Sequence, residues 1–152
     1  MSDLLRFLLL DFPPALKKIK ADSSAQFGEM NVFQMLDHLR KAFDLSIQDR
    51  EVDLITPEDK IPLMQAFLAS DKEMRPGASK PPVYDELADL DLDIDELKLE
   101  LMKSMVRMLA HFDKHPDFKS MHPNFGEINV EQWLQLHHKH IRHHLRQFGA
   151  WQ

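Results

Sequence analysis

The segment NVEQWLQLHHKHIRHHLRQF, residues 129–148, constrains the fold more than any other part of the chain. At about 100° per residue, its main apolar residues fall on one stripe of a helix: Val130, Leu134, Ile141, Leu145 and Phe148. Asn129 is a suitable N-cap with Gln132 as its capping-box partner, and Gly149 is a typical C-terminal stop. The segment therefore predicts an amphipathic helix that buries one face against other helices.

Five of the nine histidines of the chain lie within eight residues of this helix. Three are predicted along one flank of the apolar stripe: His137, His140 and His144. His143 is predicted to point to the opposite, solvent side, and His138 to the other edge of the stripe. The five histidines are therefore not equivalent.

His140 and His144 form an H-x3-H pair, whose rings lie one turn apart and can reach one cation. The simpler interpretation is a pair of ordinary helix-flank histidines, since this spacing also arises by chance. A metal site needs a third ligand from elsewhere. His38, on the flank of a predicted helix, faces protein, where it is either that ligand or a core-edge histidine bonded to a carbonyl.

The composition indicates a helical protein of one domain, residues 1–152. Hydrophobic residues make up 43% of it, and four glycines and one tyrosine favour helix over sheet. The net charge of −6 argues against a nucleic-acid partner, and no apolar run is long enough to span a membrane. Without cysteine, a metal site must use histidine, carboxylate or water, and a cytoplasmic location fits.

Periodicity predicts an all-α chain without sheet. Four long helices are expected over residues 31–50, 57–73, 93–113 and 129–148. Two short helices precede them, over residues 4–10 and 13–20, separated at Pro13 and Pro14. The proline-rich and acidic residues 74–93 form a long connection between the second and third long helices. The two HP-x-F segments, from His115 and His122, are predicted turns, or else line the mouth of a pocket.

Two segments carry a resemblance to a known family: FGEMNVFQMLDHL, residues 27–39, and HPNFGEINVEQWLQLHHKHIRHHLRQFG, residues 122–149. They resemble the DinB/YfiT-like metalloenzyme superfamily, most closely a branch described as a domain of unknown function. Phe27 stands where that branch usually has tryptophan. The resemblance implies a four-helix bundle with one divalent metal ion held by three histidines: His38, His140 and His144.

The resemblance also implies roles for other residues and a class of chemistry. His137 matches a histidine of the closer branch and is expected to be a fourth ligand, a partner of a ligand or a proton carrier. The metal is expected to be Zn²⁺ or Ni²⁺, since both suit imidazole. Some relatives transfer a low-molecular-weight thiol, which a metal converts to a nucleophile.

Two functions follow from these observations. The first is a metal-dependent enzyme of the thiol-transferase or hydrolase type that acts on a small molecule. The alternative is a non-catalytic metal-binding or scaffold protein, acting as a homodimer or with a partner through the apolar residues 4–10.

Overall fold

The computed structural model describes residues 1–76 and 92–152, and these are mostly helical with one small two-stranded sheet. The helices are α1 (Asp3–Arg6), α2 (Phe12–Lys17), α3 (Val32–Ser46), α4 (Ile61–Ala69), α5 (Ile94–Lys114) and α6 (Val130–Gln147). A π-helical turn, Phe7–Asp11, joins α1 to α2, and a 3-10 turn, Glu58–Lys60, precedes α4. The strands are β1 (Lys119–His122) and β2 (Gly126–Asn129). The predicted helical class is thus confirmed.

The prediction of a chain without sheet is wrong. β1 and β2 form an antiparallel hairpin that pairs Lys119 with Asn129 and His122 with Gly126. Gly126 has a φ of +70°, which suits the glycine that ends a short hairpin loop. The glycine after the second HP-x-F segment was the sequence signal for this hairpin.

The prediction that Pro13 and Pro14 separate two helices is also wrong. The π-helical turn runs directly into α2, where the backbone N–H of Phe12 donates to the carbonyl of Phe7. Both prolines lie in the first turn of α2, where their fixed φ is compatible with the helix. The chain therefore remains helical from α1 to α2.

The predicted start of the second long helix, at residue 57, is four residues too early. α4 begins at Ile61 with Pro62 in its first turn, a favoured position for proline. It ends at Ala69, so residues 70–73 belong to the segment that follows it. The connection to α5 spans residues 70–93, and the part of the prediction that falls on residues 77–91 lies outside the described residues.

The other long helices begin close to prediction because local signals define their starts. The predicted end of the first of them, at residue 50, is wrong, since α3 ends at Ser46. Asn31 and Asn129 form complete capping boxes at α3 and α6, and Asp93 caps α5. α3 packs against α5 and α6, and α4 packs against α6. Within the described parts of the chain, no helix combines the length and apolar character needed to cross a membrane.

Candidate metal centre

Three histidine rings from two helices meet at one point. His38 lies on α3, and His140 and His144 lie one turn apart on α6. Nε2 of His140 is 2.8 Å from Nε2 of His38 and 3.0 Å from Nε2 of His144. One nitrogen of each ring lies within 4.8 Å of the other two, so the three form a group that could hold a metal ion. The fold thus brings together the three residues singled out as ligands from the sequence.

Hydrogen bonding alone explains this convergence poorly. In a neutral imidazole, each ring nitrogen carries either one hydrogen or one lone pair in the ring plane. Nε2 of His140 therefore forms one well-directed hydrogen bond, yet two ring nitrogens lie within 3.0 Å of it. A cation accepts a lone pair from each of the three rings at once. The donor set fits a metal ion better than a chain of hydrogen-bonded histidines.

The nitrogen spacing suits a small divalent ion. Imidazole nitrogens bind zinc at about 2.0–2.1 Å, which places two ligands of a tetrahedral site roughly 3.4 Å apart. The separations of 2.8 and 3.0 Å are only a few tenths of an ångström shorter. Two of the three separations are therefore close to those of a tetrahedral zinc site, and the third is within 4.8 Å.

Gln147 sets the orientation of the His144 ring. Its Nε2 donates to the backbone carbonyl of Phe27 at 3.0 Å, and its Oε1 accepts from Nδ1 of His144 at 2.7 Å. His144 then carries its proton on Nδ1 and offers the Nε2 lone pair to the cluster. Gly28, at φ +76°, makes this possible, since a Cβ there would lie 2.7 Å from Nε2 of Gln147.

Burial favours the neutral form of the cluster. The side chains of His38 and His144 are 2% and 6% exposed. Burial, together with the neighbouring rings of His144 and His38, holds the pKa of His140 well below its usual value. Because a metal binds the neutral imidazole, His140 is in the binding form at neutral pH.

His137 lies one turn before the cluster but is not part of the group of converging nitrogens. Its ring stacks on Trp133, with centroids 5.7 Å apart, and lies 4.8 Å from the ring of Phe43. Burial, with a smaller contribution from His122, lowers the pKa of His137 to about 3. Its Nε2 is buried and has no hydrogen-bond partner among the described residues. At neutral pH this ring is an uncharged hydrogen-bonding group beside the cavity.

The histidine cluster opens into a cavity of about 1120 Å³. This volume is large enough for a small-molecule ligand. Apolar side chains from two helices and two connecting segments line much of it: Leu63, Met64, Phe67, Met74, Phe125 and Leu136. His137 and His122 also line it, so the pocket interpretation of the second HP-x-F segment holds, whereas His115 is not among the lining residues.

Residues 70–75, here called the strap, form one wall of this cavity and are tied to α6 by charged side chains. Nζ of Lys139, whose side chain is 3% exposed, donates to the carbonyls of Ser70 and Lys72. The carboxylate of Glu73 pairs with Arg142 and Arg146, each at 2.9 Å. These contacts fix the backbone of the strap beside the histidine cluster.

The predicted orientation of His143 is wrong. Its side chain is only partly exposed and lines the cavity. Its ring centroid lies 5.3 Å from that of Phe27 and 5.0 Å from that of His144. The cause is tertiary, since the loop that contains Phe27 covers a face that the helix alone would leave in water. The ring of His138 packs against that of Phe7, with centroids 4.6 Å apart. This contact agrees with its predicted position at one edge of the apolar stripe.

No pattern in the sequence indicated the strap. Lys72 was expected within a helix, and Lys139 carries no pattern that distinguishes it from solvent-exposed lysines. Their roles depend on where α4 ends relative to α6, which only the tertiary structure defines.

Comparison with known proteins identifies the family. A family model described as "Protein of unknown function (DUF1569)" matches residues 8–150, nearly the whole chain and all the residues of the histidine cluster. No curated protein gives a significant match. No solved structure gives one either. The chain therefore belongs to the DUF1569 family.

Proposed function

We propose that the protein is a metal-dependent enzyme that acts on a small molecule, with His38, His140 and His144 as the metal ligands. The observation that carries this proposal is the convergence of three Nε2 atoms at the edge of a cavity of about 1120 Å³. Three protein ligands leave at least one coordination position open, which is typical of catalytic rather than structural zinc sites. Zn²⁺ and Ni²⁺ both suit the three imidazoles.

Such a metal ion lowers the pKa of a thiol or water molecule bound to it, which favours thiol transfer or hydrolysis. The chain has no cysteine, so a thiol would have to be a co-substrate. The apolar lining of the cavity would exclude water from the reacting groups.

His137 is proposed to orient the substrate. Its buried Nε2 has no hydrogen-bond partner among the described residues, and its ring is held between Trp133 and Phe43. A group whose pKa is lowered to about 3 is a weak base at neutral pH. Of the roles considered for this residue, a neutral hydrogen bond to the substrate therefore has more support than proton transfer.

The proposal includes a finer fold assignment, a four-helix bundle of the DinB type formed by α3, α4, α5 and α6. Packing of α3 on α5 and α6, and of α4 on α6, supports it. So does the origin of the ligands, one from an early helix and two from the last, as the resemblance implies.

The alternative, a dimeric scaffold without turnover, has one observation in its favour. Leu9 and Leu10 are 41% and 53% exposed at the amino-terminal end of the molecule. Sedimentation of the wild-type protein and of Leu10→Gln tests it, since a dimer formed through this surface should dissociate in the variant.

Turnover decides whether the protein is an enzyme. Zinc-loaded protein should consume a small thiol in the presence of 1-chloro-2,4-dinitrobenzene faster than the same concentration of free Zn²⁺ does. His140→Ala should abolish the gain, whereas His115→Ala should not. Equal rates would contradict the transferase, and a nitrophenyl ester assay then tests hydrolysis. Metal binding without turnover in both assays would favour the scaffold.

A further inference from the structure

One wall of the metal-facing cavity is cationic, although the protein carries a net charge of −6. Lys72 and Arg75, both on the strap, line the cavity with exposed side chains. Within residues 1–76 and 92–152, neither forms an ion pair. Two positive charges are therefore available to a ligand in the cavity.

The carboxylate between these two residues does not cancel their charge. Glu73 is held by Arg142 and Arg146, at 2.9 Å from each, so its negative charge is already matched by two cations. The buried Lys139 adds a further positive charge behind the strap. Asp71, also on the strap, offsets part of the charge of Lys139, but five cations still outnumber two carboxylates here. The strap and the face of α6 that holds it thus form a local positive region in an acidic protein, and such a region attracts anions into a cavity.

The backbone that carries Lys72 and Arg75 is fixed. The carbonyl of Lys72 accepts a hydrogen bond from Lys139, and the carboxylate of Glu73 forms an ion pair with Arg142. Positions fixed in this way lower the entropic cost of binding, because only the two side chains need to order.

The remaining lining of the cavity defines the rest of the ligand. Met64, Phe67 and Leu136 present apolar surface, and the three histidines present a metal site. We infer that the cavity binds an organic anion: its acidic group pairs with Lys72 and Arg75, its body contacts the apolar wall, and its other end binds the metal. The inference rests on the proposed metal site and adds the charge of the substrate.

The test compares two thiols of the same chain length that differ only at the far end, the anionic 6-mercaptohexanoate and the neutral 6-mercapto-1-hexanol. Each is titrated into cobalt-loaded protein, where sulfur coordination adds a charge-transfer band in the near ultraviolet. We expect the carboxylate to bind about tenfold more tightly than the alcohol. This factor is what one or two partly solvated ion pairs contribute to binding. Salt should reduce this preference because it screens the contact.

The matched variants separate local from overall charge. Lys72→Gln/Arg75→Gln should bring the affinity for the carboxylate close to that for the alcohol and leave the alcohol unchanged. Lys17→Gln/Lys18→Gln removes the same charge from exposed positions of α2 and its C-cap and should keep the preference.

The outcomes also separate this inference from the proposed function. Failure to take up Co²⁺ would overturn both. Cobalt uptake with equal affinity for the two thiols, or with no band from either, would overturn the inference and leave the metal site standing. An equal loss of preference in the two double variants would also overturn it.

Discussion

Two histidine pairs in this protein have the same spacing and different surroundings. His140 and His144 lie four residues apart on α6, and His111 and His115 lie four residues apart at the end of α5. The ring centroids are 4.7 Å apart in both pairs. As isolated pairs, they are therefore equally suited to share one cation.

The difference lies in what the rest of the fold adds. The pair on α6 gains the ring of His38 and a hydrogen bond from Nδ1 of His144 to Gln147. The ring of His111 instead packs edge-on against Phe118, at 4.5 Å, and among the described residues the pair gains no third ligand. Helical spacing supplies two ligands, and tertiary packing decides whether they become a site.

The largest expected effect is the loss of a ligand. If three ligands share a binding free energy of about 12 kcal/mol, removing one costs about 4 kcal/mol, or roughly 10³-fold in affinity. His140→Ala should therefore weaken zinc binding by about this factor in competition with a chelator. His115→Ala should leave the affinity unchanged, and a similar loss in both variants would show that the two pairs are equivalent.

A smaller effect is expected from the residue that orients His144. Gln147→Leu removes the acceptor for Nδ1, and loss of such a partner costs about 10- to 100-fold in metal affinity. Gly28→Ala should act in the same direction, because its Cβ would displace the Gln147 amide.

Gly126→Ala is the control for backbone strain. Gly126 has a similar φ of +70°, but a Cβ there would meet Ile61 instead of Gln147. Both alanine variants should lose stability, and only Gly28→Ala should lose metal affinity. Loss of affinity in both would assign the effect to general destabilisation.

The acid stability of the protein should depend on its buried histidines, His122 among them. Burial, with a smaller contribution from the charge of Arg50, lowers the pKa of His122 to about 3. Between pH of about 6.5 and 3, the unfolded chain therefore binds a proton there that the native state does not. The free energy of unfolding should fall with falling pH by up to about 1.4 kcal/mol per pH unit.

The variants His122→Asn and His115→Asn test this assignment in denaturant titrations at several pH values. Asparagine at 122 can keep the acceptor that binds the backbone N–H of Asn124. His122→Asn should make the free energy of unfolding depend less steeply on pH, and His115→Asn should not. An unchanged slope in His122→Asn would contradict the assignment.

The smallest effect is expected at His143. Its ring touches that of His144 without joining the group of converging nitrogens, so His143→Ala should change metal affinity by less than about threefold. A loss as large as that of His140→Ala would make His143 a ligand.

Local signals in the sequence explain why much of the fold was predictable. Asn31, Asn129 and Asp93 cap their helices through side chains a few residues away, so pattern alone located three helix starts. The end of α3 was not predictable in this way. The carbonyl of Ser46 accepts a hydrogen bond from Ser120, far along the chain.

The features of the candidate site also fall into those that a local pattern predicts and those that depend on tertiary contacts. The spacing of His140 and His144 is a local property of one helix, and the resemblance supplied His38. The strap, the covering of His143 and the approach of Gly28 to Gln147 depend on contacts between distant segments. Helical periodicity contains no information about such contacts.

The most direct test of the central claim is the metal content of untagged protein, purified without a nickel column and measured by elemental analysis. We predict close to one equivalent of a divalent transition metal in the wild type and in His111→Ala/His115→Ala, and almost none in His38→Ala. Equal metal content in all three proteins would contradict the claim that His38 converts the pair on α6 into a metal site.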